Sequence, residues 1–208
     1  MLLQDFLPPA TPDISPEAAA KWPAALFSIP CDAGYDPPYR EAHALFAYAH
    51  DVRSAILASK YTGRPFPAQA VAKRLHEAFQ DPWKDLFSGR PAPVIVPVPI
   101  HPFKYFRRGF NLPALVGAEL ARLTGWPYNP LALHRRPERL PQAGLPLNDR
   151  DSNIKDAFFA PTRKNLPSRV LLLDDVLTSG ATARSAASAL KCAGWGHIVV
   201  ITIAYAPP

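Results

Sequence analysis

The stretch "VLLLDDVLTSGATARSAASAL", Val170 to Leu190, decides the fold. Four apolar residues run into Asp174 and Asp175, and a cluster of small residues follows at Thr178, Ser179, Gly180, Ala181 and Thr182. Val170 to Leu173 reads as a buried strand, and Ala181 to Ala193 reads as a helix closed by Gly194. The β-branched run "HIVVITIAYA" from His197 supplies a second strand. Strand, helix and strand in this order make a βαβ unit, which implies parallel pairing through a crossover.

Working outward, "APVIVPVPIH" predicts a short buried strand, Val94 to Val98, stopped by prolines. A basic turn follows. "NLPALVGAELARLTG" places Leu112, Leu115, Val116, Leu120 and Leu123 on one helical face, ending at Gly125. His43 to Tyr48 reads as a strand leading into a helix capped by Asp51, with Val52, Ile56 and Leu57 inward; one helix across the stretch competes with that reading. Pro67 opens a helix with Ala70, Val71, Leu75, Ala78 and Phe79 on one face. Short strands are expected at Leu131 to His134 and Lys155 to Phe159. Alternating strands and helices predict an α/β fold with a mainly parallel sheet flanked by helices. Residues 1–40 are Pro-rich and read as an irregular hood with one short helix near Pro16 to Lys21, and residues 41–208 as the main domain.

The 208 residues are 48% hydrophobic, which suffices for a sizeable core and argues against disorder. No window approaches about 18 consecutive apolar residues, so no membrane insertion is expected. The start "MLLQDFLPPATPD" lacks a basic leader and a long apolar run. Cys31 and Cys192 form no C-x-x-C pattern and fit a reducing cytoplasm. The net charge of +6 is unevenly spread: His101 to Lys164 holds 11 Lys and Arg against 5 Asp and Glu, and the remainder holds 12 of each. A central excess of this kind suits a polyanionic partner, although most basic stretches are solvated surface.

In an open α/β sheet, ligands bind beyond the carboxyl ends of the strands. Asp174 and Asp175 are expected there. The small residues Thr178 to Thr182, preceded by Val176, let backbone N–H groups and two flanking hydroxyls converge on an anion at a helix start. Carboxylates beside a phosphate cradle match a 5′-phosphorylated ribose, whose hydroxyls want acceptors and whose phosphate wants donors. A divalent cation sharing the same oxygens would relieve the acids' mutual repulsion. The plain alternative is a strand terminus followed by a helix cap. The added T-S-G-A-T turns the balance toward the ligand.

These residues resemble the PRPP-binding signature of the type I phosphoribosyltransferases, an apolar strand followed by two acids and T-[ST]-G-x-T. Three further blocks resemble the ComF family: "ALFAYAHDVRSAILASKYTG", "VPVPIHPFKYFRRGFN" and "QAGLPLNDRDSNIKDAF", in that order. The resemblance covers about residues 43 to 206. It implies a type I phosphoribosyltransferase-like fold and Mg²⁺ held through Asp174 and Asp175, by way of ribose hydroxyls or water. It also implies a pyrophosphate loop of Val98, Pro99, Ile100 and His101 with Lys104, Arg107 and Arg108. A closing loop would carry Arg135, Arg136, Gln142, Arg150 and Asn153. Asp174, Asp175 and Arg108 are the expected catalytic residues, the arginine stabilising charge on departing pyrophosphate. Two departures stand out. The family's N-terminal zinc-binding cysteines are reduced to Cys31, so no structural zinc is expected, with His43 and His50 poorly spaced to join it. Arg139 also stands where the family favours Thr.

Two functions follow from the resemblance. The first is transfer of a phosphoribosyl group from PRPP to an unidentified acceptor. The second is a non-catalytic PRPP-binding or single-stranded-DNA-handling protein linked to natural transformation and to DNA-uptake partners. Phe103, Tyr105, Phe106 and Phe110 could stack bases in that role, but core packing is the expectation for these aromatics.

Overall fold

A computed structural model of the chain describes residues 15–29, 38–62, 66–81, 83–87, 91–137, 157–162 and 166–207. Seven strands are described: β1 Phe27–Ile29, β2 Glu41–Ala47, β3 Val94–Pro97, β4 His134–Arg135, β5 Phe158–Phe159, β6 Arg169–Leu177 and β7 His197–Tyr205. Five form one sheet in the order β1-β2-β7-β6-β3, and β4 pairs with β5 in a separate ribbon. β2, β7, β6 and β3 are mutually parallel, and β1 is an antiparallel edge. Among the described residues the helices are α1 Pro16–Ala20, α2 His50–Thr62, α3 Ala68–Gln80, α4 Lys84–Phe87, α5 Pro102–Arg108, α6 Leu112–Thr124 and α7 Ala181–Cys192. The expected α/β class, mainly parallel and flanked by helices, is what the chain adopts.

β6 lies between two parallel neighbours, so both its faces are covered and its apolar run is unbroken. Alternation then sorts its side chains. Leu171 and Leu173 join a core with Val116 and Leu120 of α6, Ile56 of α2 and Leu75 of α3. Val170 and Leu172 join a second core with Ala183, Ala186 and Leu190 of α7. The two cores fix α7 on one face of the sheet and α2, α3 and α6 on the other.

Several expectations are corrected. β6 continues past Leu173 through both acids to Leu177, because the nine-residue β7 supplies partners beyond the point where β3 stops: Asp174 stands opposite Thr202 and Val176 opposite Ala204. The basic turn is a helix, α5, with no buried residue. His101 Nδ1 caps it by accepting from the Phe103 N–H at 3.2 Å, Pro102 opens it, and Gly109 closes it at φ +76°. Without an apolar face the stretch lacks helical periodicity, which is why it read as a turn. Phe103, Tyr105 and Phe106 are 62%, 53% and 88% exposed, so the core packing expected of them is wrong for these three; Phe110 alone packs against the core.

α2 starts at His50 rather than being capped by Asp51, which lies inside its first turn. Leu57, Ala70 and Leu123 are only half-buried, and Leu115 is exposed. The strand expected at Leu131 reduces to His134–Arg135, with Leu131 exposed in the preceding turn. The expected Lys155–Phe159 strand is seen as Phe158–Phe159; Lys155 lies outside the described residues. Residues 15–29 are less irregular than expected. β1 extends the main sheet, Trp22 is buried in the first core, and Arg40 donates its N–H to Ile198 O.

Candidate functional site

α6, which follows β3, packs on one face of the sheet, and α7, which follows β6, packs on the other. Two adjacent parallel strands whose connections leave to opposite faces open a crevice at their carboxyl ends, where α/β proteins bind ligands. Asp174, Asp175 and the turn into α7 line one side of this switch point. The loop after β3 lines the other.

Asp174 is buried, with 8% of its surface exposed, and one carboxylate oxygen accepts the Asp175 N–H at 2.8 Å. Its pKa is pushed up to about 7, first by burial and then by the negative charge of Asp175; the Asp175 N–H, Lys60 and Arg135 pull it back. Asp175 is ion-paired to Lys60 Nζ at 2.5 Å. Lys60 had no role assigned from sequence. Its only signal was its place in the Lys-Tyr ending of a ComF-like block, and its partner is far along the chain.

Gly180 begins α7 with φ +74°, a left-handed conformation that favours glycine, and can offer no side-chain cap, while Ser179 Oγ accepts the Ala181 N–H at 3.5 Å. A Cβ at this position would lie 2.9 Å from Arg184 Nη1 and 3.6 Å from the Tyr39 hydroxyl. Arg184 and Tyr39 therefore stand beside the turn, and neither was singled out from sequence. Thr178 and Ser179 are exposed, and Ala181 and Thr182 half-buried, so the turn opens to solvent. The first N–H groups of a helix need partners from outside it, and here they can meet an anion.

Across the crevice, Val98 donates its N–H to Leu173 O at 2.8 Å, and its carbonyl accepts from Asn111 Nδ2 at 3.0 Å. Val98 thus has no amide left for an anion, a correction to its expected role, and Pro99 has none by chemistry. Ile100 and His101 are half-buried. Lys104 and Arg107 are exposed on α5, while Arg108 lies over the Tyr61 ring at 5.9 Å. Arg135 and Arg136 stand over Phe158 and Phe159 at 5.4 and 5.6 Å, at the β4–β5 stem. Of the residues expected to close the site, Arg135 is felt electrostatically by Asp174; Gln142, Arg150 and Asn153 lie outside the described residues, as does Cys31.

Hard carboxylate oxygens suit Mg²⁺. Among the described residues no group of three or more His, Cys, Asp or Glu gathers to hold a metal. Two acids with one already paired to lysine fit a cation that arrives with its substrate and keeps other oxygen ligands, the usual habit of Mg²⁺. Among the described residues no helix is long and apolar enough to cross a membrane.

The mainly parallel sheet with an acid pair and a glycine turn at its switch point defines an α/β protein with a crevice at the carboxyl ends of its strands. No family model matches the chain. It is 36% identical over 114 residues to competence protein F of Haemophilus influenzae, covering 54% of this chain and 50% of that protein. It thus spans about half the length of that relative. It is 29% identical over 174 residues to the DNA utilization protein YhgH of Salmonella typhi, covering 81% of this chain and 74% of that protein. Among solved structures it has a distant likeness to adenine phosphoribosyltransferase from Leishmania tarentolae, with TM-score 0.41 and 16% identity, covering 83% of this chain and 94% of that one. Over these stretches the chain is similar to competence protein F and to the DNA utilization protein YhgH.

Proposed function

We propose that the chain binds PRPP with Mg²⁺ at the carboxyl ends of β3 and β6 and transfers its phosphoribosyl group to an acceptor. One observation carries this reading: a carboxylate pair and a glycine turn, open to solvent at Thr178 and Ser179, share one switch point, and Lys60 and Tyr61 of α2 link it to the basic helix α5. Asp174 and Asp175 accept hydrogen bonds from the ribose hydroxyls. The turn from Thr178 to Thr182 holds the 5′-phosphate through backbone N–H and hydroxyl donors. Ile100, His101 and the α5 cations face the diphosphate. The bond from C1 of the ribose to pyrophosphate breaks as the acceptor's electron pair reaches C1. Arg108 and Arg135 favour that step by opposing negative charge on the leaving oxygens. Mg²⁺ bound with the diphosphate would supply further neutralisation. The names of the relatives support a setting in competence and DNA utilization.

Thermal denaturation tests the reading. PRPP with Mg²⁺ at about 100 times its Kd adds about 2.7 kcal/mol to stability, which appears as a rise in Tm. The Asp174→Asn, Asp175→Asn double variant should show none. Equal rises in the two proteins would refute the assignment.

A second reading has its own observation. α5 exposes Phe103, Tyr105 and Phe106 beside Lys104 and Arg107, a pairing of stacking surfaces with cations that suits single-stranded DNA. Phe103→Ala with Phe106→Ala should then weaken DNA binding while PRPP binding persists. An unchanged DNA affinity would dispose of this role for α5.

A further inference from the structure

Lys60, in the last turn of α2, reaches the acid pair. Its ammonium touches Asp175 Oδ2 at 2.5 Å, and both side chains are only 18% exposed. Charges so far withdrawn from water are costly unless each compensates the other. The adjacent Tyr61 is 68% exposed and lies under the Arg108 guanidinium at 5.9 Å. The last turn of α2 therefore touches both sides of the crevice, the acid pair through Lys60 and the basic helix through Tyr61. A lysine is suited to such a place because its charge is compact and its stem has four rotatable carbons. An arginine would favour one fixed, bidentate geometry.

We infer that Lys60 is the internal counter-ion of the acid pair: in the free protein its ammonium occupies Asp175 Oδ2, and on ligand binding it leaves that oxygen to a sugar hydroxyl or divalent cation and turns to the incoming phosphate. The first half stands on the ion pair itself; the second rests on the PRPP reading. The free protein then has little use for a divalent cation, since the charge of Asp175 is already met. Cation and sugar phosphate enter together, each making room for the other. The carboxylates repel one another without a bound metal, and Lys60 is the device that keeps the site folded while it waits.

The test uses the full chain and Mn²⁺ alone, followed by water-proton relaxation, with no PRPP present. Lys60→Met should bind Mn²⁺ about tenfold or more tightly than wild type, because a unit charge within a few ångströms opposes the cation by more than 1.4 kcal/mol at the effective dielectric near a protein surface. Lys60→Arg should resemble wild type, and adding Asp175→Asn to Lys60→Met should erase the gain. An unchanged Mn²⁺ affinity in Lys60→Met, or a gain that survives Asp175→Asn, overturns the counter-ion role. Should Lys60→Met fail to fold, Lys60→Gln serves the same titration. PRPP affinity at saturating Mg²⁺ then judges the second half: it should fall about tenfold or more in Lys60→Met, and no change rules out the handover. A wild-type protein that never binds PRPP overturns the function instead, while the Mn²⁺ result still decides the role of Lys60.

Discussion

Asp174 shows how a burial pattern becomes a pH dependence. Its folded pKa is raised to about 7 from an ordinary 3.8, so between these values the native protein holds a proton that the unfolded chain has released. Stability from this group is full below about pH 4 and is lost as pH rises through about 7. Asp174→Asn should therefore raise the Tm of the ligand-free protein at pH 8, by about 2–4 °C for each kcal/mol regained, and leave it nearly unchanged at pH 4. A lower Tm at pH 8 would mean that the carboxylate is a net stabiliser. Gly180→Ala should cost about 1–2 kcal/mol, since its φ of +74° is strained for a residue with a Cβ and Arg184 must also shift; urea unfolding measures it. Both acids and Gly180 were legible in the sequence because a dense local motif carries them. Lys60 was not, because its meaning depends on Asp175, which only the fold brings to it.

At the scale of elements, α5 and β6 show where local signals mislead. Acids are depleted in strands, so Asp174 and Asp175 read as a terminus; the length of β7, a property of a different segment, carries β6 onward to Leu177. α5 had its Pro start and Gly stop in plain view. It lacked the apolar stripe by which helices are recognised, because it buries nothing. This contrast predicts two unlike mutants. Leu172→Ala, fully buried against α7, should cost about 2–5 kcal/mol in chemical denaturation. Phe106→Ala, 88% exposed, should stay within about 0.5 kcal/mol of wild type. A large loss in Phe106→Ala would mean that the helix is packed against something and is not a free surface.

At the scale of the molecule, the fold class was legible because β6, α7 and β7 carry the clearest periodicities in the chain and form one contiguous βαβ unit. The position of the acids followed from the same unit, since they lie in the carboxyl-terminal half of a central parallel strand. What the sequence left open was the far side of the crevice. Val98 spends its amide on the sheet, Asn111 pins the loop, and α2 delivers a lysine, all through contacts between distant segments. The central claim, that this crevice holds a phosphorylated ribose, is tested most directly by calorimetric titration of the full chain with PRPP and Mg²⁺. One saturable site per chain is predicted for wild type, lost in the Asp174→Asn, Asp175→Asn double variant. Titration heats no different from buffer in wild type, or the same isotherm in both proteins, would contradict it.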